Sequence, residues 1–417
     1  MVKCGRVRFV AVSFGSRGDI EPFITLGRAL GQAGHEVRLL THPEYAPMAA
    51  GLELVAARGR SVRELMESPE GRELLARIGN PLTALRRLAD LLAPELALIY
   101  ADVARVVADA DAVLAFPATF PALDVAAALN RPAVHVHHVP AVPTRRFPVP
   151  ATYIGARSLT PLGNRASYAF DAWLLRRLTH AAAGRARATA LGSARRVRAP
   201  RAGAVVGVSP RVLPPPPDWP GDVVTCGYWW GANRHAALPP ATEAFLAAGP
   251  APVFVGLGST PLPDAGATTR EIAGAARDAG VRVVLQRGWA GLGEGVADPH
   301  VHVVGDVSYD ALFPRVAAVA HHGGAGTTAL GLRHARPTLC LPAVADQFFW
   351  GHRVAALGAG PAPLPVKRLR RDHLAERLST LVGDSAYRER TRVIAPALES
   401  EDGCGVAVAA IERFLSV

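Results

Sequence analysis

The most informative stretch for the fold is residues 7–41, which read VRFVAVSFGSRGDIEPFITLGRALGQAGHEVRLLT. Val7–Phe14 is an almost continuous apolar run, which is typical of a strand buried on both faces of a parallel sheet. A helix is expected from about Pro22, because apolar residues then recur at helical spacing until a glycine stops them, and His35–Thr41 follows as a second strand. Such a β-α-β unit predicts a doubly wound sheet, whose ligands bind beyond the carboxyl ends of its strands, where Gly15–Asp19 lies.

Strand and helix patterns alternate in two separate halves of the chain. In the first half, further strands are expected at Ala112–Phe116 and Ala133–Val139. Residues 214–222, which contain PPPP and a further proline, interrupt the alternation as an extended, semi-rigid segment. Beyond it, strand-like runs are found at Pro252–Leu257, Val281–Gln286, Val301–Val304, Val316–His321 and Thr338–Leu341. The sequence therefore predicts an α/β protein with two Rossmann-like, doubly wound domains that face a cleft.

Composition excludes several classes of protein. Of the 417 residues, 50% are hydrophobic and 19% are charged, which is not the composition of a disordered chain. The 40 glycines and 35 prolines show no period, so the chain is neither a collagen nor a simple repeat array. Its 4 cysteines lie far apart and show no metal-ligand spacing. Together with the lack of a signal-peptide pattern, they predict a cytoplasmic protein without a structural zinc site.

Positive charge is concentrated in one region of the chain. The formal net charge is +11, and residues 125–217 contain 14 arginines against a single acidic residue, Asp171. For the stretch from Arg157 to Arg201, two interpretations are open: the arginines form the solvated face of ordinary helices, or they contact anionic lipid headgroups near a lipophilic substrate. Nucleic-acid binding is not favoured, because no aromatic platform or known binding motif accompanies the arginines.

The strongest local signal is HHGGAGTT at residues 321–328, between an apolar strand and an expected helix. The first N–H groups of a helix are unpaired and point outwards, and His322, Thr327 and Thr328 add side-chain donors, so the segment suits a diphosphate. A tight glycine turn with buried histidines is the alternative. The spacing matches neither the Walker P-loop nor GxGxxG, so it does not indicate an ATP or NAD site of those kinds. Because neighbours in a strand point to opposite faces, His321 and His322 do not predict a metal site.

A second polar segment, ADQFFWG at residues 345–351, also follows an expected strand. The carboxylate of Asp346 beside the carboxamide of Gln347 offers acceptors and donors that suit neighbouring hydroxyls of a sugar. The three aromatic residues after them supply apolar walls. Alternatively, Asp346 caps a helix whose aromatic residues belong to the core, and the sequence leaves both interpretations open.

Asp19 lies on the glycine-rich loop after the first strand. A carboxylate there is placed to accept a proton from an incoming hydroxyl or to orient a base. It is also placed to cap the following helix. Capping is the simpler explanation of the residue, and the two roles are compatible.

Four segments together resemble family 1 glycosyltransferases of the GT-B fold, in the branch of sterol glucosyltransferases and bacterial antibiotic glycosyltransferases. They are GSRGDIEPFITLGRAL at residues 15–30, PTRRFPVP at 143–150, RGWAGL at 287–292, and LFPRVAAVAHHGGAGTTALGLRHARPTLCLPAVADQFFWGHRVAALGAGP at 312–361. The segments span nearly the whole chain and occur in the order that the family shows.

The resemblance implies a role for each matching residue. Asp19 would be the general base for the acceptor hydroxyl, or would assist that base. The donor nucleotide sugar would be bound by the second half of the chain. Its diphosphate would be bound by His322, Gly324, Gly326, Thr327 and Ser259, its sugar by Asp346 and Gln347, and its nucleoside by Trp289 and Val307. The family pattern implies no metal ligand.

The resemblance also implies a domain organisation. An acceptor-binding N-terminal domain would comprise residues 1–213, and a nucleotide-sugar-binding domain would comprise residues 223–395. A linker at 214–222 would join them. Residues 396–417 would form a C-terminal helix, roughly from Val406 to Leu415, that packs back on the first domain.

The reaction implied by the resemblance is an inverting, metal-independent transfer of a hexose or deoxyhexose. The donor would be a UDP- or dTDP-sugar, and the acceptor a hydroxyl group of a lipophilic aglycone. No cofactor and no nucleic-acid partner are implied. The protein is expected to be a monomer or a homodimer, cytoplasmic or peripheral at the inner face of the membrane.

Two departures from the family pattern bear on the base and on the acceptor. Plant members carry a histidine near the end of strand one, which is absent here, so Asp19 acts alone or shares the task. The sequence PAVADQ and the lack of a PW pair before residues 143–150 favour a polyketide, macrolide or terpenoid acceptor over a sterol. Further alternatives are a non-catalytic auxiliary protein of this fold, a nucleotide-sugar 2-epimerase, a lipid-linked cell-wall sugar transferase, and a basic protein that binds nucleic acid or a membrane surface.

Overall fold

The computed structural model describes residues 5–76, 81–152, 159–197, 201–231, 237–260 and 262–416. Within these ranges the chain forms two parallel sheets, one of seven strands and one of five. Helices cover the sheets, as parallel strands require, because each return of the chain to the same edge needs a crossover connection. The expected pair of Rossmann-like domains is confirmed.

The first sheet has the strand order β3-β2-β1-β4-β5-β6-β7. Its strands are β1 (Arg8–Val12), β2 (Glu36–Thr41), β3 (Glu53–Ala56), β4 (Ala112–Ala115), β5 (Ala133–His137), β6 (Arg201–Val206) and β7 (Val223–Thr225). Its helices are α1 (Arg17–Gln32), α2 (Val62–Glu67), α3 (Pro69–Ala76), α4 (Pro81–Val107), α5 (Phe120–Ala128) and α6 (Pro161–Leu191). All strand pairs are parallel, so the loops after β1, β4 and β5 leave the sheet at one edge.

The second sheet has the strand order β10-β9-β8-β11-β12, and its pairs are also parallel. Its strands are β8 (Val253–Gly256), β9 (Val283–Gln286), β10 (Val301–Val304), β11 (Ala318–His321) and β12 (Thr338–Cys340). The remaining helices are α7 (Pro240–Ala247), α8 (Ala265–Asp278), α9 (Tyr309–Leu312), α10 (Ala325–Arg333), α11 (Gln347–Ala356), α12 (Arg371–Gly383), α13 (Ser385–Glu399) and α14 (Gly403–Leu415). Every residue of β8, β9 and β11 is buried, which explains why these strands are apolar except for Gln286 and His321 at their carboxyl ends.

The first helix begins earlier than the sequence suggested. Ser16 is the N-cap of α1, so the helix starts at Arg17 and contains Pro22 in its second turn. The predicted start at Pro22 is therefore wrong by five residues. A proline at this position lacks the N–H that would donate to the Gly18 carbonyl, so α1 has one hydrogen bond fewer in its second turn.

The predicted domain boundary is also wrong. Residues 214–222 do not lead directly into the second domain, because they are followed by β7, which pairs with β6 at the edge of the first sheet. A strand of three residues shows no readable alternation, so the proline run was the more visible signal. Strands β3 and β6 were likewise missed, since Glu53 and Arg201 open short runs that lack a continuous apolar pattern.

The C-terminal helix α14 returns to the first domain, where its inner face packs in the core formed by β1, β2 and α1. Ala407 and Ile411 are fully buried there. Polar contacts fix the helix at both ends: the Trp229 indole N–H donates to the Gly403 carbonyl at 3.1 Å, and His35 Nε2 lies 3.1 Å from Glu412 Oε1. The helix extends over Gly403–Leu415, while residue 396, the predicted start of this segment, lies inside α13.

Within the arginine-rich region, Pro161–Leu191 forms a single helix, α6, which packs along α4. Its inner face carries a buried charge network, in which Arg187 donates to Asp124 at 2.8 Å and to the Tyr100 hydroxyl at 3.1 Å. Within α6, Arg165, Arg176, Arg177 and Arg185 are exposed, whereas Arg187 is buried. Among the described residues, no helix combines the length and apolarity needed to span a bilayer.

Packing of α14 on β6 gives a test of the returning helix. A Cβ atom on Gly203 would overlap the ring of Phe414, so Gly203→Ala should destabilise the protein by about 1–3 kcal/mol through overpacking. Urea unfolding measures the change. Gly184→Ala on α6 is the matched control, because nothing lies near its added Cβ, and it should be neutral or stabilising. If Phe414→Ala failed to rescue Gly203→Ala, this docking of α14 would be contradicted.

Candidate functional site

The carboxyl edges of the two sheets face each other across a cleft. Two contacts bridge it: the Arg63 guanidinium lies over the Trp289 ring at 5.8 Å, and the rings of Phe147 and Phe349 are 5.1 Å apart. Loops from opposite domains therefore meet at the place where doubly wound folds bind their ligands.

The second domain contributes a helix start that no side chain caps. Gly323 has a φ of 92°, which favours glycine, and Gly324 is the N-cap of α10 without a side-chain cap. The first N–H of α10 to find a backbone partner belongs to Thr328, which donates to the Gly324 carbonyl at 3.0 Å. The three N–H groups before it point out of the helix end, where the helix dipole adds positive potential. This arrangement suits an anion.

His322 lies beside this helix start, with its ring between two glycines. A Cβ on Gly258 would come within 2.8 Å of the ring, and one on Gly324 within 2.5 Å, so neither position has room for a side chain. Burial lowers the pKa of His322 to about 4. The ring is therefore neutral at pH 7 and carries one N–H. Its Nδ1 atom is buried and has no hydrogen-bond partner among the described residues.

The hydroxyls near the helix start differ in what they contact. The hydroxyl of Thr328 is buried and donates to the Gly324 carbonyl at 2.9 Å, so it serves the helix, and its expected role as a ligand donor is not supported. Thr327 is half-buried at the same helix start. Ser259 follows Gly258, whose carbonyl accepts the Trp289 N–H at 3.0 Å, so the loops after β8 and β9 are joined next to His322.

Asp346 and Gln347 have structural partners of their own. Gln347 Oε1 accepts hydrogen bonds from the N–H groups of Ala343 at 2.8 Å and Val344 at 3.1 Å, which leaves its amide nitrogen to act as a donor. Asp346 occupies the N-cap position of α11, and its Oδ2 accepts the Trp350 indole N–H at 2.9 Å. The prediction that both side chains offer acceptors to a sugar therefore applies only in part, because the side-chain oxygen of Gln347 already binds the backbone of the loop before α11.

The pKa of Asp346 is raised to about 6, chiefly because the carboxyl group is buried. The hydrogen bond from Trp350 and the charge of His138 act to lower this pKa, while the negative charge of Asp19 acts to raise it. Asp19 and His138 belong to the first domain, so their charges reach Asp346 across the cleft. The two expected sites, one for each substrate, are thus electrostatically coupled.

Asp19 performs the capping role and leaves one oxygen for another task. Its Oδ2 accepts hydrogen bonds from the Ser16 N–H at 2.8 Å and the Ser16 hydroxyl at 2.9 Å, which forms a capping box at the start of α1. Its Oδ1 lies 3.2 Å from Nε2 of His138. With 41% of its side chain exposed, Asp19 is the accessible member of this pair, since His138 is 10% exposed.

The environment keeps Asp19 ionised. Burial acts to raise the pKa of Asp19, but the hydrogen bond and charge of His138, together with the hydrogen bonds from Ser16, outweigh it and lower the pKa. A carboxylate with a neighbouring histidine is a recurrent arrangement for moving a proton.

His138 is the functional residue that the sequence reasoning missed. It directly follows β5, two strands away from β1, and its ring packs against Phe116 at 4.9 Å and Phe23 at 6.4 Å. The strand was expected to continue to Val139, which would have placed His138 inside it. The available signal was the histidine at the carboxyl end of a strand in the same sheet as Asp19.

The residues expected at the nucleoside also follow strands of the second sheet. Trp289 comes after β9 and Val307 after β10, and both are half-buried. Val307 packs against the apolar cluster that contains Phe313. In the described ranges, no group of three or more His, Cys, Asp or Glu side chains is arranged to hold a metal ion.

The chain is similar in sequence to known proteins. Residues 277–409 match the family model described as Erythromycin biosynthesis protein CIII-like, C-terminal domain. Over 98% of its length the chain is 32% identical to sterol 3-beta-glucosyltransferase UGT80B1 of Arabidopsis thaliana, of which it covers 68%. It is 33% identical to O-mycaminosyltylonolide 6-deoxyallosyltransferase of Streptomyces fradiae, over 98% of this chain and 97% of that protein.

Solved structures share the fold. The glycosyltransferase SsfS6 of Streptomyces sp. SF2575, complexed with thymidine diphosphate, matches with a TM-score of 0.64 and 19% identity. The match covers 98% of this chain and 100% of the other.

The raised pKa of Asp346 predicts a pH-dependent effect of Asp346→Asn on the ligand-free protein. The pKa of Asp346 is 3.8 in the unfolded chain and about 6 in the folded protein. Because the folded state binds the proton more tightly, protonation of Asp346 stabilises the fold fully below pH 4, and this contribution is lost as the pH rises through 6. The melting temperature of Asp346→Asn relative to the wild type should therefore rise between pH 4 and pH 7, by on the order of 2 °C. Thermal unfolding across this range measures it.

Asp109→Asn is the control, because Asp109 is exposed and its hydrogen bond to Arg38 lowers its pKa. Its relative melting temperature should stay level or fall as the pH rises. If the relative melting temperature of Asp346→Asn did not change with pH, a buried carboxyl group with a raised pKa would be contradicted.

Proposed function

Since this chain belongs to the family 1 glycosyltransferases of the GT-B fold, we propose that it transfers a hexose or deoxyhexose from a UDP- or dTDP-sugar to a hydroxyl group of a lipophilic acceptor. The single observation that carries the proposal is the pairing across one cleft: the Asp19 carboxylate, hydrogen-bonded to His138, opposes the uncapped start of α10. One side suits a hydroxyl that must lose a proton, and the other suits a leaving diphosphate.

On the acceptor side, Asp19 takes the proton as the hydroxyl oxygen attacks the sugar. The exposure of Asp19 supports this assignment, because the nearly buried His138 has less access to an acceptor. His138 holds Oδ1 of Asp19 in place through its Nε2–H, and Ser16 holds Oδ2, so the carboxylate has a fixed orientation. General-base assistance of this kind contributes a factor of roughly 10²–10⁴ to the rate.

On the donor side, the leaving diphosphate develops negative charge as its bond to the sugar breaks. That charge is stabilised by the free N–H groups at the start of α10 and by the single N–H of neutral His322. Ser259 and Thr327 would add their hydroxyl groups as donors. Fixed donors aimed at developing charge are usually the largest contribution to catalysis. A helix start therefore does here what a divalent cation does elsewhere, and we propose a metal-independent reaction.

The stereochemical outcome follows from the same arrangement. The base and the diphosphate donors belong to opposite domains, so the hydroxyl approaches the anomeric carbon from one side of the cleft while the diphosphate leaves on the other. A single displacement of this kind inverts the anomeric carbon. The bound sugar would contact Asp346 and the amide nitrogen of Gln347, which lie between the two ends of the reaction.

The nucleoside would lie against Trp289 and Val307, beyond the diphosphate. The Arg63 guanidinium above the Trp289 ring supports this position, because it ties α2 of the first domain to the ring on which a base would stack. The structure of SsfS6 with thymidine diphosphate supports a nucleoside diphosphate as a ligand of this fold.

The acceptor would enter from the first domain beside Asp19. There, Phe23 and Phe116 pack against His138, and Phe147 contacts Phe349 of the second domain. These aromatic side chains would give the acceptor site apolar walls, which suit a lipophilic aglycone such as a polyketide, a macrolide or a terpenoid. A sterol is the second candidate, because the chain is 32% identical to a sterol 3-beta-glucosyltransferase. A non-catalytic auxiliary role is disfavoured, because an auxiliary protein needs neither the Asp19–His138 pair nor an open helix start.

Asp19→Asn tests the catalytic assignment. Asparagine keeps an oxygen that accepts from Ser16 but cannot take a proton, so kcat should fall by about a hundredfold or more while UDP and dTDP affinities stay unchanged. Sugar transfer from UDP- and dTDP-sugars to a panel of macrolide, polyketide and sterol acceptors, in the presence of EDTA, provides the measurement. Exposed Asp111→Asn, paired with Arg8, is the control and should keep its activity.

Two outcomes would change the assignment. Unaltered turnover would remove Asp19 from the reaction. A loss in His138→Gln that exceeds the loss in Asp19→Asn would make the histidine the base and the aspartate its positioning residue.

Gly326→Ala tests the diphosphate site without disturbing the fold. Its added Cβ meets nothing in the protein, so the melting temperature should not fall, but the methyl group would occupy space beside the free N–H groups of α10. UDP and dTDP should bind about tenfold more weakly, as expected when a charge-assisted hydrogen bond is lost. The thermal shift produced by each nucleotide measures this.

Gly266→Ala is the matched control, because Gly266 occupies the same second position of helix α8. It should leave both nucleotide shifts unchanged. Equal shifts in Gly326→Ala and the wild type would place the diphosphate elsewhere.

A further inference from the structure

Helix α6 presents an apolar and basic surface that the proposed reaction does not use. The apolar side chains of the α6 surface are all exposed: Leu162 at 71%, Phe170 at 54% and Trp173 at 52%, together with Ala166 and Ala169. The Phe170 and Trp173 rings form one aromatic pair, with centroids 5.8 Å apart. Large apolar side chains that cluster in this way mark an interaction site, whereas scattered ones do not.

These residues share one face of the helix because they recur at intervals of three and four positions. The arginines of the α6 surface are Arg165, Arg176 and Arg177, which lie beside the apolar residues and at their C-terminal end. From position 162 to position 177 the surface extends for about 22 Å at the helical rise. It therefore combines a row of apolar side chains with a basic margin.

The opposite face of α6 is fixed to the protein. Tyr168 is buried on it, and further along the helix Thr179 and Ala183 are buried and Arg187 is held by Asp124 and Tyr100. The α6 surface is thus a rigid part of the first domain, and its exposure does not arise from a loosely attached helix.

The charge of the α6 surface is almost entirely positive. Arg176 and Arg177 form no ion pair with any residue in the described ranges, and Arg165 reaches only Asp218, at 4.0 Å. The one acidic residue of α6, Asp171, is half-buried, and burial raises its pKa. A complementary partner must therefore offer negative charge next to an apolar layer.

We propose that the α6 surface docks on an anionic phospholipid membrane. Phe170, Trp173 and Leu162 enter the boundary between headgroups and acyl chains, while the flanking arginines bind lipid phosphates. A second copy of this chain is a poorer occupant, because a twofold contact through this surface would bring two positively charged surfaces together. The proposal goes beyond the glycosyl transfer and does not depend on it.

Docking there would set the cleft close to the bilayer. Near its start, α6 holds the segment 143–150: the Asn164 amide donates to the Arg145 carbonyl at 2.9 Å, and the Ser167 hydroxyl accepts the Val149 N–H at 2.8 Å. The same segment carries Phe147, which contacts Phe349 of the second domain. A lipophilic molecule leaving the membrane beside α6 would therefore meet the rim of the cleft.

Vesicle sedimentation of the full chain tests the proposal. The protein should bind vesicles of phosphatidylcholine with about one third phosphatidylglycerol, and binding to pure phosphatidylcholine should be at least tenfold weaker. Phe170→Ser with Trp173→Ser, and Arg176→Gln with Arg177→Gln, should each weaken binding to the anionic vesicles at least tenfold. All four residues are exposed, so melting temperatures should stay near that of the wild type.

Helix α13 offers matched controls, because Val393 is 69% exposed there beside exposed Arg388 and Arg392. Val393→Ser, and Arg388→Gln with Arg392→Gln, should bind anionic vesicles like the wild type. Equal losses in the α13 variants would mean that general positive charge, not the α6 surface, drives binding, and would overturn the proposal.

A second measurement locates the contact. Brominated lipids should quench tryptophan fluorescence of the wild type, and Trp173→Phe should lose most of that quenching while it still sediments with vesicles. No vesicle binding by the wild type would overturn the proposal, as would self-association that Phe170→Ser with Trp173→Ser abolishes, since this would assign the surface to a second copy.

Discussion

The protein depends on one geometric constraint, which is that two parallel sheets are held with their carboxyl edges towards the same cleft. Parallel pairing places every loop that follows a strand at one edge, so the polar side chains of those loops gather on one side of each domain. Helix α14 leaves the second domain and is buried against β1, β2 and α1 of the first. This returning helix is one of the links that join the second domain to the first.

Electrostatics divides the cleft between the two domains. The first domain contributes an ionised Asp19, whose pKa is lowered by His138 and Ser16 against the effect of burial. The second contributes the positive end of α10, a neutral His322, and Asp346 with a pKa of about 6. The positive end of α10 would attract a diphosphate, whereas the negative charge of Asp19 would repel it.

Helix α6 has two roles in the architecture, at different positions along its length. Towards its C-terminal end it closes the first domain through the buried network of Arg187, Asp124 and Tyr100, and nearer its start its exposed surface carries apolar and cationic side chains. Near its start it anchors the segment that reaches the second domain through Phe147. The arginine-rich sequence thus serves two purposes that its composition alone could not separate: one arginine is a buried structural partner, and others face solvent.

The sequence by itself determined the class of fold and most of the loops that form the site, because both depend on local pattern. Continuous apolar runs predict strands buried on two faces, and polar residues directly after them, such as Asp19, His322 and Asp346, fall at the carboxyl edges. Tertiary structure alone decided which of these residues meet. His138 pairs with Asp19 from 119 positions away, and Gln347 gives its oxygen to Ala343 and Val344. It also decided that β7 belongs to the first sheet, because a three-residue strand is stabilised by its neighbour β6 and carries no periodicity of its own.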